Sequence, residues 1–445
     1  VAGSHVIVRH PGSGNALRLG ATGLATVATL WLIAIAVDTI AATRFNTDSF
    51  RYLISAATLE ETGDLTGIGY RDMSKRLLGT PMLHTFGTVS GRGYVAVITP
   101  MLALSGAATM VWLSSEAFTS VRTPRKWRLL LLVTGVAALI STNRFVFASF
   151  YVNGHMLFAV MALIGVGAAW LGTVRRMPAL LLPAGLAFAA LVPIRAESTI
   201  VAAVLLLPFV ARGRLGTHAL SLLVTPFVAA VIMWHGFAFP RLVSEADPGW
   251  FGPSRGPLFI GIFVCTACLG RRTRIGGFMA DNASRIALLG LLGYTTVSAV
   301  RRPDILIDSI TATIDNMFRL GLWSLFWWML TPVLLTVVVA KVRFRYSEVW
   351  SSGLLGFAVA LMALPYLRGV AYRGGWEDSG NRMLLHIVLV VVAYLIVMGA
   401  AAIRSAEREE GLVIDLTQLE HMEAAAPVTS SEPDVAQLVG QPSRR

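Results

Sequence analysis

The chain has 445 residues, 55% of them hydrophobic and 14% charged, with a mean hydropathy of +0.67. Soluble domains carry about 25% charged residues, so this composition excludes a string of soluble domains and fits one large integral-membrane domain. The net charge of +12 does not indicate nucleic acid. The excess falls in short gaps between apolar runs, where orientation in the bilayer and anionic headgroups account for it.

Apolar runs long enough to cross a hydrocarbon core of about 30 Å recur from one end to the other. The candidate spans are 19–41, 94–118, 127–142, 153–171, 177–194, 197–211 and 218–237, then 257–270, 286–300, 318–340, 349–367 and 383–402. The first run is too long for a signal peptide and lacks a small-residue cleavage site, so it reads as a retained span. The runs 257–270 and 286–300 are short, and read either as two spans or as a half-inserted hairpin. The expected fold is all-α and polytopic, with 10–12 transmembrane helices.

Fourteen cations sit in every second gap: Arg122/Arg125/Lys126/Arg128, Arg175/Arg176, Arg212/Arg214, Arg271/Arg272/Arg274 and Lys341/Arg343/Arg345. Short cationic loops stay cytoplasmic. Both termini are then expected inside, and the outer segments are 42–93, 143–152, 193–196, 236–256, 301–317 and 368–382. Residues 1–403 form the membrane domain. The segment 404–445, with eight acids against four Arg, reads as a cytoplasmic and largely disordered tail. Lysine occurs only at Lys75, Lys126 and Lys341, an Arg bias of the kind a GC-rich bacterial genome produces. Cys265 and Cys268 lack a second pair or a nearby His, and read as small buried apolar residues.

In the first outer loop, 42–93, Phe50, Leu53, Ile54 and Ala57 fall at helical spacing. A short amphipathic helix lying on the outer membrane surface is expected there. Asp48 stands at its start. Its position suits an N-cap that complements the helix dipole and holds the carboxylate rigidly.

Asp48-x-x-x-Tyr52-x-x-x-Ala56, followed by Gly63, Tyr70, Lys75 and Pro81, resembles the first outer loop of the GT-C class. These are multi-spanning glycosyltransferases that use polyprenyl-phosphate sugars, among them the dolichyl-phosphate mannosyltransferases and the lipid A aminoarabinose transferases. The resemblance implies that Asp48 is the catalytic base for an acceptor hydroxyl and that Lys75 meets the donor phosphate, with Tyr52 in support. Many members carry two adjacent acids here, whereas this chain has Asp48-Ser49. The chemistry suits such residues. A carboxylate within hydrogen-bond reach can take the hydroxyl proton, and Arg binds the departing phosphate through a fixed fork.

Ile194-Arg195-Ala196-Glu197 is similar to the Arg-Pro-Glu turn of the same class, with Ala196 in place of Pro. Arg195 and Glu197 read either as a local ion pair ending two helices or as a donor-phosphate cation with its supporting acid. Arg373-Gly-Gly-Trp376-Glu377-Asp378-Ser-Gly-Asn381-Arg382 resembles the late loop of the class. There Arg373 and Arg382 are candidate phosphate ligands, and Trp376 and Asn381 support them. The alternative is a turn with an interfacial Trp. His155 reads as a hydrogen-bonded packing residue, the loop holding Glu245, Asp247 and Trp250 as solvated, and Asp304 with Asp308 as a solvated helix face. No Walker loop, zinc-protease motif or dinucleotide fingerprint occurs.

The implied function is transfer of a sugar, with inversion, from a polyprenyl-phosphate donor to a glycan, lipid or protein hydroxyl at the extracytoplasmic face of a cell membrane. The sequence leaves dependence on a divalent metal open, since one well-placed acid does not make a divalent-cation site. The alternative is a secondary transporter or lipid flippase, which would place charge at mid-span and break helices there.

Overall fold

The computed structural model describes residues 47–63, 79–89, 92–121, 123–195, 197–238, 252–339, 346–375 and 378–425. The expected first span 19–41, Lys75, Trp376, the loop around Glu245, Asp247 and Trp250, and the end of the tail lie outside the described residues. Helices account for almost all of what is described.

Two helices pack at the centre. Helix α6 (Gly154–Arg175) and the membrane part of the last helix bury 83% and 89% of their most apolar windows. Every side of these helices must therefore be apolar, as their sequences are. Around them stand α3 (Arg92–Val121), α4 (Arg125–Ile140) and α7 (Leu181–Leu191). Glycine lets helices approach where lipid supplies no hydrophobic drive. A Cβ on Gly185 of α7 would lie 2.6 Å from the Leu222 and Leu223 carbonyl oxygens of α9 (Thr217–Val231).

Among the described residues, six helices are long and apolar enough to cross a membrane, and seven if α4 and α5 (Asn143–Ser149), bent by 74°, count as one span. The protein is thus all-α with several candidate membrane crossings. The sequence pattern suggests more full spans than these because hydropathy does not register where a helix stops. The runs expected as spans 177–194 and 197–211 fold as short arms, Pro178–Leu191 and Ser198–Phe209, the second containing α8 (Ser198–Leu206). Pro178 opens the first arm and Pro208 ends the second, because proline lacks the N–H that a helix interior needs. The α4–α5 bend falls at Ser141 and Thr142, whose hydroxyls both donate to the Ala138 carbonyl, at 3.1 and 2.7 Å, in competition with the helical ladder.

Beyond α9 come α10 (Gly252–Leu269) and α11 (Arg274–Arg301). With 28 residues, α11 extends about 42 Å, far more than a half-inserted arm needs. Next are α12 (Pro303–Asp315), α13 (Phe326–Val339), α14 (Ser347–Arg368) and α15 (Ser379–Ala425). Helix α15 runs 47 residues without a break, through the expected last span and into the segment expected as a tail. The first loop contributes α1 (Thr47–Thr62) and α2 (Gly79–Val89), packed on each other.

Polar contacts sort the chain into two ends. At one end the cationic gaps meet. Arg175 pairs with Glu116, Arg212 with Asp281 at 2.6 Å, and Arg214 with Glu348 at 3.2 Å, while Arg271 donates to the Leu215 and Ala211 carbonyls. At the other end the expected outer segments meet. The Ser49 hydroxyl donates to the Val152 carbonyl at 3.0 Å, Gly79 N–H to Pro193 at 2.7 Å, and Arg144 N–H to Leu322 at 2.8 Å.

Candidate functional site

The second end is built on tight turns. Helix α7 ends at Leu191 and α8 starts at Ser198, so Arg195 and Glu197 lie in the short turn between them. Arg195 Nε lies 2.7 Å from Glu197 Oε1, with 13% and 12% of these side chains exposed. The local ion pair read from the sequence is therefore present. Burial alone would raise the Glu197 carboxyl. Arg195, the residue's own backbone N–H and Arg368 outweigh it, holding the carboxyl below its ordinary value.

Arg195 Nη1 also faces His155 Nε2 at 3.4 Å, and His155 Nδ1 lies 2.7 Å from His386 Nε2. His155 is the second residue of α6. His386 follows Arg382 by four residues on α15, one helical turn deeper on the same face. The His386 ring stacks on Phe158 with centroids 4.0 Å apart. Arg382 and Arg144 add their charges to the field at His155. The residues expected as phosphate ligands at 195 and 382, far apart in sequence, thus share one electrostatic neighbourhood.

Arg144, the second residue of α5, is 3% exposed. Its Nε has no hydrogen-bond partner among the described residues, and the charges acting on it are those of Arg382, Tyr151 and Asp378. Asn153, just before α6, is also 3% exposed, and neither atom of its carboxamide has a hydrogen-bond partner among the described residues. Buried polar groups are nearly always satisfied, so both mark a place where something polar is accommodated.

Two asparagines clip this end together. Asn316 donates to the Arg373 carbonyl at 2.9 Å and accepts from Gly375 N–H at 2.7 Å. Asn381, fully buried, donates to the Gly321 carbonyl at 3.0 Å and accepts the Trp323 indole N–H. A Cβ on Gly321 would lie 2.1 Å from the Asn316 carbonyl oxygen, so only glycine fits between the clips. The Asp378 carboxylate accepts from Gly380 N–H at 2.6 Å, capping α15. Tyr372 is 3% exposed and donates to the Leu361 carbonyl at 2.9 Å; burial pushes its hydroxyl above the ordinary range. Arg373, by contrast, holds its side chain out in the open.

The first loop reaches the same place. Ser49 anchors α1 to Val152, next to Asn153, so the backbone of Asp48 belongs to this rim. The Asp48 side chain lies outside the described residues. Tyr52 is 2% exposed and faces inward with Ser49 and Ala56, while Phe50 and Ile54 are 55% and 64% exposed. Helix α2 docks through Gly79 on Pro193. His84, 1% exposed on α2, has its pKa lowered by burial to about 4.

No protein-family model, curated protein or solved structure matches the chain.

Three residues of the rim were not singled out in the sequence: Arg144, Asn153 and His386. Arg144 carried a usable signal, as a lone Arg in an expected outer segment flanked by apolar runs. Among the described residues no three His, Cys, Asp or Glu side chains are grouped to hold a metal ion. Asp304 pairs with Arg302 at 2.8 Å on the exposed surface, and Asp308 joins no such group.

Proposed function

We propose that the chain is a GT-C-like integral-membrane glycosyltransferase that takes its sugar from a polyprenyl-phosphate donor at the extracytoplasmic face. The supporting observation is the electrostatic proximity of Arg195, Arg382 and the buried Arg144 beside the anchored start of α1. In this reading the donor phosphate lies against these guanidinia, whose forks match its oxygens. Arg373 is exposed at the same end, and Lys75 is the further cation that the resemblance assigns to the phosphate. The Asp48 carboxylate takes the proton of an acceptor hydroxyl. The acceptor oxygen forms a bond to the anomeric carbon as the bond from that carbon to the phosphate oxygen breaks. The electron pair leaves with polyprenyl phosphate, whose added negative charge the arginines neutralise. Attack opposite the leaving group inverts the anomeric centre.

The α1 face carrying Phe50 and Ile54 rests on the outer membrane surface, with the acceptor, a glycan, lipid or protein, arriving above it. Both termini are cytoplasmic, as the cationic gaps require, and the membrane is bacterial. The alternative, a secondary transporter or lipid flippase, draws on one observation: the imidazole pair His155–His386 set between two deeply buried helices.

Reconstituted protein supplied with a panel of polyprenyl-phosphate sugars and hydroxyl acceptors separates the two. The glycosyltransferase releases free polyprenyl phosphate from at least one donor. Movement of an intact donor across the bilayer without any release contradicts the reading and favours the alternative.

A further inference from the structure

The contact between Arg195 and His155 fixes more than one hydrogen bond. A guanidinium offers N–H donors and has no acceptor, so His155 Nε2, 3.4 Å from Arg195 Nη1, must present its lone pair. The ring proton then sits on Nδ1 and is donated to His386 Nε2 at 2.7 Å. That in turn leaves the His386 proton on Nδ1, which has no other partner. We propose that His155 and His386 are positioning residues for Arg195, their tautomers set in sequence by the guanidinium and their packing holding its fork toward the rim.

The packing supports this role. His155 is 3% exposed and His386 fully buried, so neither reaches a ligand at the rim directly. The His386 ring lies flat on Phe158, which prevents it from turning away. With Glu197 on Nε and His155 on Nη1, Arg195 is gripped from two sides, as imidazoles and carboxylates grip one another around metal ligands. Glu197 supplies the counter-charge, and the imidazole pair supplies direction. This inference rests on the reading of Arg195 as a phosphate-binding cation.

The test uses the full-length protein in nanodiscs. Nitrogen-15 NMR of labelled histidine reports which ring nitrogen carries the proton, and titration with a synthetic polyprenyl phosphate reports binding. His155 and His386 should both be protonated on Nδ1 and bare on Nε2, and Arg195→Ala should release His155 into a mixture of tautomers. His155→Phe should weaken lipid-phosphate binding roughly tenfold, as loss of one charge-assisted contact does. His155→Gln, which keeps an acceptor, should restore most of it. The double variant with Arg195→Ala should bind no worse than Arg195→Ala alone. A proton on His155 Nε2 overturns the proposal. So does wild-type affinity in His155→Phe when Arg195→Ala is weak. If even the wild type ignores the lipid phosphate, the reading of the site falls. The positioning role is then decided by the tautomer: a His155 signal that does not respond to Arg195→Ala rejects it, and one that responds upholds it.

Discussion

The Ser49 hydroxyl donates to the Val152 carbonyl at 3.0 Å across 103 positions of sequence, and the residue before Ser49 is Asp48. One hydrogen bond thus ties the start of the first-loop helix to the segment that leads into α6. Replacing Ser49 by Ala removes a buried donor and leaves the Val152 carbonyl unpaired, at a cost of about 1–3 kcal/mol. Thermal unfolding should show that loss. Turnover should fall by more than stability does, because the base is displaced from its acceptor. Equal activity in Ser49→Ala at a temperature where it is folded would detach α1 from the chemistry.

The arginines should separate from one another in binding assays. Arg382→Ala and Arg144→Gln each remove a charged fork, so donor affinity should drop roughly tenfold to a hundredfold, with acceptor affinity unchanged. Arg373→Ala, at an exposed position, should change donor affinity by less than either. Isothermal titration with a non-transferable donor analogue measures all three.

Acidification should destabilise the protein in two stages. The His84 pKa lies near 4 in the folded protein, against 6.5 ordinarily. A lowered folded value means that its stabilisation is complete above pH 6.5 and drains away as pH falls toward 4, by on the order of 3 kcal/mol. Glu197 also has a lowered value, so its contribution is present above its ordinary 4.5 and is lost only as pH falls below that. Melting temperature against pH should therefore decline first between 6.5 and 4. His84→Phe should shrink that upper stage, and Glu197→Gln the lower one. A wild-type profile that is flat down to pH 4 would contradict the first assignment.

Asn381 acts by holding other elements. Asn381→Ala strips partners from both the Gly321 carbonyl and the Trp323 indole, so about 2–4 kcal/mol of stability should go with it. Asn381→Asp keeps an acceptor for Trp323 but sets a buried carboxylate against the Gly321 carbonyl, so it should also be clearly destabilised at neutral pH. Comparing the two by thermal unfolding tests the clip, since a residue that touches only donor would leave both variants as stable as wild type.

Much of this arrangement was legible in the sequence because charge and spacing are local. Arg195 and Glu197 flank a single small residue between two apolar runs, and their pairing follows. The sorting of arginines into alternate gaps already grouped Arg175, Arg212, Arg214 and Arg271 at one end. Helix lengths were less legible: 177–194 and 197–211 are apolar enough to span, yet proline at 178 and 208 shortens the helices inside them. The His155–His386 contact joins residues 231 positions apart, and no periodicity announces such a pair. The burial of Arg144 was less legible than its lone charge, since it depends on the elements that pack around the Ser141–Thr142 bend. Asn381 stood inside a recognisable loop, but its partners Gly321 and Trp323 could come only from the fold.

The most direct measurement of the central claim is a single-turnover assay with labelled polyprenyl-phosphate sugar and Asp48→Asn. The wild type should release lipid phosphate as the acceptor gains the sugar. Asp48→Asn should bind the donor with unchanged affinity and release essentially none. Turnover in Asp48→Asn close to that of the wild type would contradict the account.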